Sequence, residues 1–348
     1  MGSLIILAAA LWGAGLYFGW SLAKRASLVV GVLGSLTGTQ VMLSLEHPLR
    51  FLSDDALKFW LLLCGFGALA LVYALGLRWL KARVVSDDAE GATPKQAGTF
   101  GESELARYMR HIVLREIGGP GQKKLKQSKV LVIGAGGLGS PALMYLAASG
   151  VGTIGIIDDD VVDNSNLQRQ VIHTDARIGM HKVFSAQMAL EAQNPYLEVR
   201  PYQRRLEAAQ AEALFADYDL ILDGTDNFET RYLSNRVAAK LGKPLISGAL
   251  SQWEGQLSVF DTKQGSPCYQ CIFPEAPAAG LAPSCAEAGV ISPLPGVVGS
   301  MMAVEALKVL CDVGAPLRGE MLIYDALWSE TRKIKLKKRE TCPVCGDQ

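Results

Sequence analysis

The chain has no long basic run, and its formal net charge is zero. Without a basic footprint a phosphate backbone has nothing to hold it, so nucleic acid is set aside as a partner. Cysteine is scarce, at seven in 348 residues. That odd, sparse number argues against a secreted disulfide framework and for metal or redox chemistry in a reducing compartment. No internal repeat is visible. Charged residues make up 20% of the chain, yet residues 1–80 hold only Lys24, Arg25, Glu46, Arg50, Asp54, Asp55, Lys58 and Arg78. An end so poor in charge belongs in lipid.

Three stretches fill that end, at about 3–23, 26–45 and 57–77, each close to the roughly 20 residues that cross a bilayer. The first lacks the basic start of a cleaved signal peptide, and its apolar stretch is too long for one. Residues 1–83 are therefore expected to span the membrane three times. Two spans is the alternative, because the turn at Lys24 and Arg25 is short and the middle run is rich in Gly and Thr. Positive charge sets the orientation: Lys24 and Arg25 share one loop, while Arg78, Lys81 and Arg83 flank the last span. With an odd number of crossings both groups fall on the same side, so the amino terminus lies outside and everything after residue 84 is cytoplasmic. Trp20, Trp60 and Trp79 sit near expected span ends, whereas Trp12 does not. The expectation is a multi-pass protein of a bacterial inner membrane, with lipid as one partner and residues 84–103, "VVSDDAEGATPKQAGTFGES", as a flexible tether.

From residue 104 to 348 the pattern changes to alternating strands and helices. "SKVLVIGAGGLGS", "GTIGIID", "YDLILDGTDN", "KPLISGAL" and "GQLSVFD" read as strands, several of them separated by helical stretches. This rhythm predicts an α/β fold, a Rossmann-like doubly wound and mainly parallel sheet with ligands at the carboxyl ends of its strands. Gly134, Gly136 and Gly139 form G-x-G-x-x-G at a strand-to-helix turn, and Asp158 ends the next strand. The glycines let backbone approach phosphate, and the carboxylate can take ribose hydroxyls. Alone the motif fits a nicotinamide-dependent oxidoreductase as well as an ATP enzyme.

Downstream residues separate the two. Asn166 and Arg169 follow the ribose carboxylate, and Lys182 opens the next helical stretch. A triphosphate calls for side-chain cations where a dinucleotide is largely satisfied by backbone amides. Asp226, just past a strand, is placed to hold magnesium. For each cation taken singly a solvated helix face is the plain alternative, and for Asp226 a helix N-cap. Cys268 with Cys271 and Cys342 with Cys345 form two C-x-x-C pairs. Together they offer the four thiolates of a structural zinc site that would pin the carboxy terminus to the domain. Redox chemistry at either pair is the alternative, although neither opens a helix as a thioredoxin-type motif does. Cys64 and Cys311 lie in apolar stretches and read as packing residues, while Cys285 sits in a Pro/Ala/Gly-rich crossover.

The stretches "RYMRHIVL", "GAGGLGS", "NLQRQ", "DGTDN", "GQLSVF", "CYQC" and "CPVC" occur in this order over residues 103–348. Together they resemble the MoeB/ThiF/HesA family, bacterial relatives of the ubiquitin-activating enzymes. The membrane segment is a departure from the soluble members. The resemblance implies that ATP adenylates the carboxy-terminal glycine of a ubiquitin-like sulfur carrier, of the MoaD or ThiS kind, in molybdenum cofactor or thiamine biosynthesis. It places Gly137 in the nucleotide loop, Asp158 on the ribose, Asn166, Arg169 and Lys182 on the phosphates, and Asp226 as the metal-associated catalytic aspartate. Arg110 is similar to the arginine that family homodimers insert into the partner subunit's site. Cys285 resembles the position where some members link covalently to their carrier. A separate protein is then expected to donate the sulfur. A membrane-tethered nucleotide-binding module without catalysis is the main alternative, but Arg110, Lys182 and Asp226 argue against it. An NAD-dependent oxidoreductase is the lesser one, since no Tyr-Lys or His pair accompanies the glycine loop.

Overall fold

The computed structural model describes residues 100–277 and 288–346 continuously, together with scattered positions between 10 and 76. The chain divides into two units, 1–95 and 96–348. Within the first, the described positions are helical apart from Trp20. Several large apolar side chains there stand open to their surroundings, from Trp12 at 37% to Met42 at 92% exposed. Two hydroxyls are satisfied inside their own helix: Ser35 donates to the Gly31 carbonyl and Thr39 to that of Ser35, each at 2.9 Å. The three expected spans otherwise lie outside the described residues, as do Cys64 and Cys285.

The second unit is built on one eight-stranded sheet. Its elements are α1 (Glu102–Ile112), α2 (Gly118–Gln127), β1 (Lys129–Ile133), α3 (Gly139–Ala148), β2 (Thr153–Ile157), α4 (Lys182–Gln193), β3 (Glu198–Tyr202), α5 (Ala208–Ala216), β4 (Leu220–Asp223), α6 (Phe228–Leu241), β5 (Leu245–Leu250), β6 (Glu254–Phe260), α7 (Tyr269–Ile272), α8 (Pro293–Cys311), β7 (Glu320–Asp325) and β8 (Glu330–Lys335). The strand order is β3-β2-β1-β4-β5-β6-β7-β8. Pairing is parallel from β3 to β5 and antiparallel from β5 to β8. The sheet thus keeps the expected parallel half but is extended by three antiparallel strands: short turns join β5 to β6 and β7 to β8, whereas α7 and α8 lie between β6 and β7. "GQLSVF" therefore runs against its neighbour instead of with it.

Strands β1, β2 and β4 read as unbroken apolar runs because helices cover both faces of the sheet. In β1, Val130 and Val132 join the core under α3, α4 and α8, while Leu131 and Ile133 join the core under α5 and α6. The same alternation places Leu220 and Leu222 on one side and Ile221 on the other. Helix α8 is, among the described residues, the one helix long and apolar enough to cross a membrane. It packs on α3, β5 and β6 instead, with Val298, Met302 and Ala306 in the core. Cys311 at its end is 4% exposed, as expected of a packing residue. Successive crossovers run outward from β1 in one direction and from β4 in the other, leaving a crevice at their carboxyl ends.

Candidate active site and thiolate centre

A cavity of about 860 Å³ fills that crevice, and Gly134, Gly136, Gly137, Asp158, Arg169, Lys182 and Asp226 all line it. The glycine turn runs from the end of β1 to the start of α3. Gly134 has φ +90, a conformation that side chains disfavour. A Cβ on Gly139 would lie 1.9 Å from the Gly134 carbonyl oxygen, so the turn can close this tightly only on glycine. Gly139 does not line the cavity; it makes the bend. Asp158 locks the turn from the next strand: its carboxylate accepts from the Ala135 and Asp160 amides at 2.8 Å each. Burial raises its pKa against the pull of Lys182. The ring of buried His173 holds the turn from below, with Nε2 2.9 Å from the Ala135 carbonyl and Nδ1 2.9 Å from Ser185 Oγ. Since a carbonyl can only accept, the proton is assigned to Nε2 and the serine hydroxyl donates to Nδ1. Burial lowers the His173 pKa, with the charges of Lys182 and Arg177 adding to the effect.

Lys182, the first residue of α4, is 5% exposed and pairs with Asp160 at 2.7 Å. Arg169 donates to the Ser165 carbonyl at 3.1 Å. Asn166 is absent from the cavity lining. Its side-chain oxygen accepts from the Asp163 amide at 3.3 Å, completing a capping box around the short turn Asn164–Asn166 that precedes Arg169. Arg110 lies on an exposed face of α1 and does not reach its own chain's cavity.

Asp226 is not a helix cap. Asn227 takes that place, its side chain accepting from the Thr230 amide at 2.9 Å, and Asp226 stands exposed at the cavity edge. The carboxylates of Asp158, Asp159 and Asp160 also come within 4.8 Å of one another. Several cavity residues escape a reading of the sequence. Asp160 is Lys182's partner, Gln170 has a buried Oε1 with no partner, and Tyr269 walls the far side among Tyr232, Phe260 and Phe273. Arg231 is buried and lines the cavity too. One signal was present for it. Arg231 and Asn235 stand four apart in "TRYLSN", two polar groups on one face of a helix.

The two C-x-x-C pairs meet at one point. Sγ separations are 3.9 Å for Cys268 to Cys271, 3.6 Å for Cys268 to Cys342 and 3.3 Å for Cys271 to Cys345. Four sulfurs at about 2.3 Å from a tetrahedral zinc would stand roughly 3.8 Å apart, whereas a disulfide needs about 2.05 Å. The donor set fits zinc, and four thiolates leave no position for water. Three of the four cysteines are buried, which is a poor setting for thiol exchange at either pair. Asn235 Nδ2 donates to Cys268 Sγ at 3.6 Å and the Arg339 amide to Cys271 Sγ at 3.4 Å, both bonds that favour thiolate. Burial pushes the Cys268 thiol up to about 11. At Cys342 burial acts the same way, but hydrogen bonds from the Cys345 and Val344 amides and from the Cys268 and Cys271 thiols together outweigh it and the value falls to about 7. A dication would hold all four ionised.

The family model described as the ThiF family matches residues 108–344. A sulfur carrier protein adenylyltransferase of Thermus thermophilus is 49% identical over 251 residues, which cover 71% of this chain and 93% of the relative. A probable adenylyltransferase/sulfurtransferase MoeZ of Mycobacterium tuberculosis is 50% identical over 250 residues, or 71% of this chain and 64% of the relative's length. Among solved structures, E. coli MccB superposes with a TM-score of 0.62 at 21% identity, covering 69% of this chain and 75% of MccB. The crystal structure of MccB with ATP gives 0.58 at 22% identity, covering 71% and 76%. At such identities these two show the fold alone.

Proposed function

The chain belongs to the ThiF family, and from that membership we propose that it uses ATP to adenylate the carboxy-terminal glycine of a ubiquitin-like sulfur carrier, releasing pyrophosphate. The observation that carries this reading is the single cavity where the glycine turn, Asp158, Arg169, Lys182 and Asp226 converge at the strand ends. A nicotinamide cofactor would have little use for two cations and an open carboxylate there. Carriers of the molybdenum cofactor or thiamine pathways, of the MoaD or ThiS kind, are the substrates that fit.

In this reading the amides of the glycine turn and the amino end of α3 hold phosphate, and Asp158 takes the ribose. The carrier's terminal carboxylate oxygen attacks the α-phosphorus. A bond to the acyl oxygen forms as the bond to pyrophosphate breaks. Negative charge gathers on the leaving group, where Lys182 and Arg169 stabilise it. Magnesium, where bound, would be held by Asp226 and would neutralise phosphate charge. Arg110 enters the site of the neighbouring subunit in a homodimer. Cys268, Cys271, Cys342 and Cys345 would hold a structural zinc, which would tie the carboxy terminus to α7 and so to the wall formed by Tyr269. Cys285 is the candidate for a covalent link to the carrier, and a separate protein donates the sulfur.

Residues 1–83 anchor the enzyme in a membrane by three spans, with the catalytic unit cytoplasmic. The open apolar side chains and helix-satisfied hydroxyls at the described positions support this. Carrier-dependent exchange of radiolabelled pyrophosphate into ATP tests the activity. Exchange with a glycine-terminated carrier, lost when that glycine is deleted, is expected. No exchange with either class of carrier would refute the proposal.

A further inference from the structure

Arg231 carries a charge that no carboxylate among the described residues neutralises by direct pairing. It stands on the first turns of α6, is 6% exposed and lines the cavity. Among the described residues it forms no ion pair. Its Nη1 donates to Ser247 Oγ at 2.9 Å, and its Nη2 donates to the Gly248 carbonyl at 2.7 Å and to the Thr225 carbonyl. All three acceptors are neutral. A buried cation is costly unless its bonds compensate, so what those bonds hold matters.

They tie one turn to the neighbouring strand. Ser247 and Gly248 belong to β5, whereas Thr225 belongs to the turn between β4 and α6. Thr225 is held from the other side as well: its amide and hydroxyl donate to Asp223 Oδ1 at 3.0 and 2.6 Å. Asn227 is fixed as the cap of α6. Between these two anchored residues lies Asp226, which makes no hydrogen bond or ion pair among the described residues and faces the cavity. The turn is therefore pinned on both flanks of one open carboxylate.

We infer that Arg231 is a positioning residue that aims Asp226 at the reacting phosphates, an inference that rests on the adenylation reading above. The planar guanidinium can serve acceptors on two elements at once, fixing their separation and direction. A lysine ammonium keeps the charge but not the planar fork. Arg231→Lys therefore separates aiming from charge. A displacement of about 1 Å at a reacting group can cost on the order of 10²-fold in rate, and that is the scale expected here.

The test uses the full-length chain as wild type, Arg231→Met, Arg231→Lys, Asp226→Asn and the double variant Asp226→Asn/Arg231→Met. Carrier-dependent pyrophosphate exchange is read together with the KM for ATP, the melting temperature and the zinc content. Both Arg231 variants should fold with zinc in place and keep the KM within about threefold, while losing on the order of 10²-fold in kcat. The double variant should be no more than about threefold slower than Asp226→Asn, since a residue acting through another is not additive with it. An Arg231→Lys enzyme as fast as wild type would overturn the inference, as would a loss confined to KM or a multiplicative loss in the double variant. If Arg231→Met fails to fold, Arg231→Lys carries the same readings. If neither folds, the role is structural and the inference falls. These outcomes presuppose an active wild type. A wild type without exchange would instead refute the adenylation reading, and this inference with it.

Discussion

Removing the metal from the four-cysteine cluster should destabilise the catalytic unit by an amount the structure allows to be worked out. The clustered thiols of Cys268 and Cys342, and of Cys271 and Cys345, are each 74 residues apart in sequence. A metal joining them acts on the unfolded chain as a cross-link closing a loop of that length, for which chain entropy gives about 4 kcal/mol. Metal–thiolate bonding, coupled to folding, adds to this. For a domain of this size each kcal/mol moves the melting temperature by roughly 2–4 °C, so a fall of about 8–16 °C is the lower bound. The assay is thermal melting of purified protein before and after treatment with a zinc chelator, alongside metal analysis expected to give one zinc per chain. Hydrogen exchange should localise the first opening to residues 338–346 and α7, the segments the cluster ties together. The Tyr269 wall moves with α7, so nucleotide affinity should fall as well. Cys342→Ser should reproduce the effect without chelator. A metal-free protein melting within about 2 °C of the untreated one, less than 1 kcal/mol on the same scale, would refute the reasoning. So would a cluster oxidised to disulfides in the protein as isolated.

Three other outcomes follow from the same structure. Mixing inactive Arg110→Ala with inactive Asp226→Ala protein should restore about a quarter of full activity, because half the dimers are mixed and each holds one intact site of two; no recovery in proven heterodimers would place Arg110 within its own chain. Burial keeps the His173 imidazole below its usual value, so the folded chain resists a proton that the unfolded chain accepts below about pH 6.5. That contribution is complete above pH of about 6.5 and declines as pH falls from there toward the depressed folded value. His173→Gln should therefore lose less stability than wild type in urea titrations between about pH 7.5 and 5, and identical losses would remove His173 from the account. Reporter fusions after residue 50 and after residue 90 should fall on opposite sides of the membrane, and a shared side would end the three-span proposal.

Much of the catalytic unit was legible in the sequence because its signals are local. A run such as "VLVIG" declares a strand covered on both faces, and the glycines at 134 and 139 declare a turn too tight for any side chain. Those features depend on neighbours a few residues away. Asp226 could be singled out for the same reason, just past the end of β4, whereas Arg169 and Lys182 lie well beyond the end of β2 and stood out by their charge and the motifs around them. The antiparallel direction of β6 was not legible, since "GQLSVF" has the same apolar pattern whichever way it runs. Nor was the division of labour in "DGTDN", where Asn227 caps the helix and leaves Asp226 open. That choice depends on which side chain reaches the Thr230 amide. Spacing made two C-x-x-C pairs candidates for a shared metal, but only packing brings thiols 74 residues apart to within 4 Å. His173 under the glycine turn and Arg231 between β5 and the turn after β4 are likewise decisions of tertiary structure. Each is a hydrogen bond whose partner the chain delivers from a distant or differently oriented element, and no local pattern encodes that delivery.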